Sequence, residues 1–258
     1  DSCDGVMNAY IDDVKLLVAG EQGLVVDFGC EISVEINGLV QQLAKSLANL
    51  QLVGVTEIVP TYRSVIIYFD PILVTRAEMG SIIKECLDHI GTRKVEKSPR
   101  NIIRIPVCYG GVFGPDMDFV VRRTGLSQEE IVKIHTAKPY LIYMLGFTPG
   151  FPYLGDLPTS LTVPRLAKLR SKIPQGSVGI AGSQTGLYTV QSTGGWRVIG
   201  RTPIKAFTPE KPNPFLWAAG DYIQLESVTV DDFFAIYREV EAGTYISCKK
   251  VLPGGEEA

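Results

Sequence analysis

The chain holds 258 residues, 45% hydrophobic and 21% charged, with a formal net charge of −3 at pH 7. That length suits two domains of ordinary size, each with a real core, and the acidic balance supplies no basic field for gathering nucleic-acid phosphates. No apolar run approaches the roughly 20 residues that span a bilayer, so neither nucleic acid nor membrane is an expected partner.

Asp1–Tyr10 is acidic and polar and lacks the charged-then-apolar plan of a signal peptide; Met7 is a candidate start residue. Val14–Val18 and Leu24–Phe28 then read as strands, separated by a turn at Gly20 and Gly23. Ile36, Leu39, Val40, Leu43, Leu47 and Leu50 recur at helical spacing. Strands follow at Val55–Val59 and Ser64–Phe69. Thr75 and Glu78 form a capping box stapled by Val74 and Met79, which starts a helix continuing through Ile90. The order ββαββα implies a small α+β sandwich with two helices over one sheet face. Residues 91–101 are polar and contain Gly and Pro, so the boundary is placed there, dividing the chain into domains 1–95 and 96–258.

The second domain opens with a strand at Ile102–Val107. A second capping box, Ser127 with Glu130, starts a helix that carries His135 near its end, and Tyr140–Leu145 returns to strand. From Gly146 to Gly200 there are ten glycines in 55 residues, where average usage gives about four. Short apolar runs at Ser177–Ala181, Leu187–Val190, Trp196–Ile199 and Tyr222–Leu225, punctuated by glycine, have the pattern of a β-barrel. Val230–Glu241 reads as a helix of unassigned role.

The residue inventory narrows the chemistry. There are two histidines, His89 and His135, and five scattered cysteines without a CxxC pair. Zinc is therefore not expected, and free thiols in a reducing cytoplasm are. His89 reads as a solvated residue near a helix C-terminus. Gly195–Thr202 has the outline of a phosphate loop, but its centre is Trp-Arg-Val-Ile and Pro203 follows, so the glycines are assigned to turns flanking a strand. Gly176–Gly186 carries two readings. Its glycines can converge backbone N–H groups on an anion or a carbonyl oxygen, or they can serve packing at a barrel corner. Arg165, Arg170 and Arg201 are candidate anion clamps nearby. No serine-hydrolase elbow is present, and Cys108 reads as structural.

Three long segments carry a resemblance. Gly146-Phe-Thr-Pro-Gly-Phe-Pro-Tyr-Leu-Gly155, Ser177-Val-Gly-Ile-Ala-Gly-Ser-Gln-Thr-Gly186 and Gly194-Gly-Trp-Arg-Val-Ile-Gly-Arg-Thr-Pro203 resemble, in order and spacing, signatures of the allophanate hydrolase subunit 1/kinase A inhibitor family. Val59–Ser64 and Phe69–Pro71 resemble its N-terminal half. The chain departs from the usual pattern at Leu169–Arg170, at Ile173–Gly176 and between Tyr188 and Gly194, segments that read as loops.

The resemblance implies an α+β N-terminal domain followed by a cyclophilin-like β-barrel domain, paired with a homologous barrel subunit. It implies work in the cytoplasm as a subunit of an ATP-dependent 5-oxoprolinase, inactive alone, with Mg2+ accompanying ATP and no biotin. Two other activities occur in the family: inhibition of a sensor histidine kinase, and carboxyl transfer to urea-like amides. On this basis His135, Gln184 and Arg201 are the expected catalytic residues. Phe147, Gly150, Tyr153, Arg165, Arg170, Ser177, Gly179, Gly182, Thr185, Gly186 and Trp196 are the expected substrate contacts.

Overall fold

Leu24 and Val26 alternate along one strand with Phe28 just past its end, and Val65, Ile67 and Phe69 along another; all six are buried in one cluster. In this computed structural model, which describes residue 11 and residues 13–92 and 100–252, those strands belong to a four-stranded antiparallel sheet. Its members are β1 (Lys15–Val18), β2 (Gly23–Asp27), β3 (Val55–Pro60) and β4 (Ser64–Phe69), in the order β1-β2-β4-β3. Helices α1 (Val34–Asn49) and α2 (Arg76–Thr92) place Leu39, Leu43, Met79 and Ile83 against the same core. The Thr75 hydroxyl oxygen accepts from the Glu78 N–H at 3.3 Å, and the Glu78 carboxylate accepts from the Thr75 N–H at 2.8 Å. The expected capping box is therefore formed. Asp1–Tyr10 and residues 93–99, within the expected linker, lie outside the described residues. The chain divides into two units, residues 1–97 and 98–258.

The second unit is built on a closed barrel. Its strands are β5 (Arg100–Tyr109), β6 (Tyr140–Leu145), β7 (Pro152–Leu154), β9 (Ser177–Ala181), β10 (Gln184–Leu187), β12 (Arg197–Arg201) and β13 (Tyr222–Ser227). They run in the order β12-β9-β10-β7-β6-β13-β5, and β12 pairs back onto β5 to close the ring. Strand β14 (Lys249–Leu252) adds to the outer side of β5, while β8 (Arg170–Ile173) and β11 (Ser192–Gly194) form a separate ribbon. Ile105, Tyr140, Leu154, Val178, Leu187 and Ile223 share the largest core of this unit. Helices α3 (Met117–Thr124) and α4 (Gln128–His135) join a neighbouring cluster through Val120 and Ile131. Helix α5 (Val230–Ala242) buries Phe233 against Phe113.

Several local expectations change. The strand expected at Leu187–Val190 lies at Gln184–Leu187, because Gly182 and Ser183 make a two-residue turn that pairs Gln184 with Ala181. Gly182 has φ +57°, the first-position glycine of a type II′ hairpin turn. The strand expected at Trp196–Ile199 runs from Arg197 to Arg201. Gly200 thus stands inside that strand instead of at a turn, beside a register shift. A Cβ there would lie 2.7 Å from Val107 Cγ1 and 3.0 Å from the Cys108 carbonyl oxygen. Glycine is what lets β12 approach β5 closely enough to complete the ring.

Gly200→Ala is expected to destabilise the barrel unit by about 1–3 kcal/mol through overpacking at the closure. Gly38→Ala has open space on α1 and is expected to stabilise the first unit by about 0.5–1 kcal/mol. Urea unfolding, followed on the transition of the altered unit, checks both; effects of the same sign would contradict the packing argument.

Candidate functional site

The site grows from the β9–β10 hairpin. Gly179 pairs with Gly186 across it, and Ile180 with Thr185. The two glycines face aromatic rings: a Cβ on Gly186 would lie 3.0 Å from both Phe151 and Trp196, and one on Gly179 would lie 3.2 Å from Trp196. Phe151 contacts Tyr153, Tyr188 and Trp196 edge to face, and the exposed ring of Phe147 adds to the group. Phe147 has φ +62°, a costly conformation for a bulky residue. Of the two readings open for this glycine-rich segment, the geometry at Gly179 and Gly186 is that of packing.

Beneath the hairpin lies His135, held by the last turn of α4 and fully buried. Its Nδ1 is 2.9 Å from the Tyr109 hydroxyl and its Nε2 is 2.8 Å from Thr185 Oγ1. Thr185 Oγ1 in turn donates to the Gly179 carbonyl at 3.1 Å. A carbonyl oxygen only accepts, so the Thr185 proton is committed to it. Nε2–H must then donate to Thr185, and Nδ1 must accept from Tyr109; the network fixes the tautomer. Burial pushes the imidazole pKa down to about 3, so His135 is neutral at physiological pH. Burial, with Tyr140 close by, raises the Tyr109 hydroxyl well above its ordinary value. The Tyr140 hydroxyl donates to the His135 carbonyl at 3.0 Å.

At the turn of the same hairpin a cleft of about 510 Å3 opens, lined by Arg123, Thr162, Arg165, Gly182, Ser183 and Gln184 among others. Its wall is tied down: the Gly182 N–H donates to the Val163 carbonyl at 2.9 Å, and the Leu157 N–H to the Ser183 carbonyl at 3.1 Å.

The sequence-derived residues are therefore divided. Arg165, Gly182 and Gln184 line the cleft. His135 and Thr185 lie beneath the hairpin and are fully buried. Gly179, Gly186, Tyr153, Trp196 and Phe147 belong to the aromatic group. Ser177 is buried in β9 opposite Arg201. Gly150 accepts from the Trp217 indole N–H at 2.9 Å.

The three arginines offered as clamps do not act together. Arg170 makes a two-pronged pair with Asp116, at 2.6 and 2.8 Å. Arg201 Nε donates to the Gln175 carbonyl at 3.0 Å, and only Arg165 lines the cleft. Asp116, which sequence reasoning passed over, is buried and also accepts from the Val198 N–H at 2.7 Å. Hydrogen bonding to Asp116 is the main cause that raises the Arg170 pKa. Arg123 and Thr162 were missed as well. Arg123 sits on α3, a helix too short to leave a periodic signal, and nothing local distinguishes Thr162. Among the described residues, no group of three or more His, Cys, Asp or Glu is placed to hold a metal ion.

Comparison with known proteins gives a consistent picture. Residues 14–217 match the family described as carboxyltransferase domain, subdomain C and D. The 5-oxoprolinase B subunit of Bacillus subtilis (strain 168) is 37% identical over 228 residues, covering 85% of this chain and 95% of that protein. The 5-oxoprolinase B subunit of Escherichia coli O157:H7 is 47% identical over 122 residues, 47% of this chain and 56% of that one. The crystal structure of TTHA0988 superposes with a TM-score of 0.72 at 32% identity, covering 81% of this chain and 40% of the solved one.

The depressed pKa of His135 predicts an acid-linked loss of stability. Above the ordinary histidine pKa of about 6.5 the ring is neutral in both folded and unfolded chains; below it only the unfolded chain takes up the proton. Stability is expected to fall as pH drops from about 6.5 toward 3, with this ring contributing up to about 1.4 kcal/mol per pH unit. His135→Gln should remove that contribution. Urea midpoints at pH 7.5, 6.0 and 5.0 measure it, and an identical slope in the variant would mean that the ring charges freely in the fold.

Proposed function

This chain is a member of the carboxyltransferase subdomain C and D family, and from that membership we propose that it works as the B subunit of a cytoplasmic, ATP-dependent 5-oxoprolinase. The observation that carries the reading is the 37% identity to the 5-oxoprolinase B subunit of Bacillus subtilis, which spans nearly the whole of that protein. The described cysteines are all free thiols, which supports a reducing compartment. No helix among the described residues is long and apolar enough to cross a membrane.

The reaction opens a lactam that amide resonance protects. Transfer of the γ-phosphoryl group from ATP to the lactam oxygen releases ADP and leaves an electrophilic carbon. One water adds there, the ring nitrogen departs, and a second water cleaves the resulting acyl phosphate to L-glutamate and inorganic phosphate. Such a sequence needs donors aimed at developing oxyanions and cations to hold a transferred phosphoryl group. In this chain Gln184 and the Ser183 hydroxyl, both at the cleft, are donors of the right type. Mg2+ would arrive with ATP. His135, buried and neutral, would hold the hairpin that carries Gln184, and the aromatic group around Phe151 would fix its outer face.

A homologous barrel subunit is the proposed partner, with turnover requiring both. Co-expression and co-purification of the two, followed by an assay of glutamate release from 5-oxo-L-proline, tests this. The complex is expected to release glutamate only with MgATP, and each subunit alone to release none. A stable complex without ATP-dependent release would overturn the proposal, and turnover blocked by avidin would instead assign carboxyl transfer through biotin.

A further inference from the structure

Five arginines of the barrel unit are engaged within the chain. Arg170 and Arg197 converge on Asp116, at 2.6 and 3.8 Å, and Arg197 also lies over the Phe119 ring. Arg104 pairs with Glu226 at 3.2 Å, Arg100 donates to the Tyr222 hydroxyl, and Arg201 donates to a main-chain carbonyl. Arg122, Arg123, Arg165 and Arg238 make no hydrogen bond or ion pair with the described residues, and of these four Arg123 and Arg165 line one cleft.

No carboxylate lines that cleft, so its two positive charges have no counter-charge from the wall. The other polar groups there are neutral: the hydroxyls of Thr162 and Ser183 and the carboxamide of Gln184. The wall is pre-formed, since Val163 is buried and bridges to Gly182; a fixed wall lowers the ordering cost of binding. A volume of about 510 Å3 is that of a small-molecule pocket. On a chain with net charge −3, two unpaired guanidinium groups facing one concavity select a small organic anion.

We propose that this cleft binds a small molecule carrying both a carboxylate and an amide, with Arg123 and Arg165 taking the carboxylate and Gln184 reading the amide. A carboxamide side chain can accept from a lactam N–H while donating to the lactam C=O, so Gln184 would exchange its contact within the chain for the reacting group. The inference deepens the 5-oxoprolinase reading and rests on it for the identity of the amide. It assigns recognition of the substrate carboxylate to two residues that no signature motif contains.

The test uses the co-purified complex with three probes: 5-oxo-L-proline, 2-pyrrolidinone (the same lactam without the carboxylate) and inorganic phosphate. Calorimetric binding and steady-state kinetics are compared for the parent, Arg123→Gln and Arg165→Gln. Each variant is expected to weaken 5-oxo-L-proline binding and raise its KM by 10-fold or more. Affinity for 2-pyrrolidinone and the unfolding midpoint should stay unchanged, since neither arginine holds the fold together. Glutamate release with an unchanged KM in both variants would overturn the inference while leaving the 5-oxoprolinase reading intact. Loss of phosphate or ATP binding, with 5-oxo-L-proline binding retained, would also overturn it by assigning the cations to phosphoryl groups. If 5-oxo-L-proline is never hydrolysed but still binds in an Arg123- and Arg165-dependent way, the carboxylate site stands and the activity reading falls.

Discussion

His135 donates one hydrogen bond to Thr185 and accepts one from Tyr109, so β5, α4 and β10 meet at a single ring. Every polar atom in that chain has a partner, and the direction of each bond follows from the Gly179 carbonyl at its end. A partly satisfied network in such a place would cost more than an apolar plug, whereas a complete one fixes a unique arrangement. The strand it locks carries Gln184 at its mouth, so the cleft inherits its geometry from a contact that solvent never reaches. This accounts for how an imidazole too buried to take up a proton near neutrality can still matter to the site.

The same economy governs charge. Asp116 is buried at the start of α3, where an unpaired carboxylate would be costly. It is offset by the Arg170 fork, the Val198 N–H and the more distant Arg197. Two of the barrel's cations are thereby committed to joining α3 and the β8–β11 ribbon to β12. Arg123 and Arg165 are left for the cleft. Only the fold separates structural from available arginines, because in the sequence all of them are the same residue type in the same stretch.

Much of the architecture was legible in the residues. The 3–4 rhythm of α1 and the Thr75–Glu78 and Ser127–Glu130 boxes are local signals, and local hydrogen bonds deliver them. The barrel was legible as a class but not strand by strand. Leu187–Val190 has strand-like residues, yet Tyr188 leaves the sheet to pack on Phe151, and the Thr189 hydroxyl donates to the Pro149 carbonyl. Strands β8 and β11 carry no period-2 apolar pattern, since they form a ribbon apart from the barrel. The site was half legible: the Gly182–Gln184 turn was marked, but Arg123 and Thr162 come together with it only through long-range pairing.

This division bears on what the signature segments encode. Gly200 stands where β5 approaches too closely for a side chain, and Gly179 and Gly186 stand where a Cβ would be tight against Trp196 and Phe151. Trp196 and Phe151 are the other halves of those contacts. In this chain the glycines of the signature segments thus serve how the barrel closes and how its hairpin is covered. On the proposed reading, substrate choice resides at the cleft: at the turn positions Ser183 and Gln184, and at the two arginines set on α3 and on the segment facing it. A relative that keeps every glycine but replaces those four would keep the barrel and change what enters it.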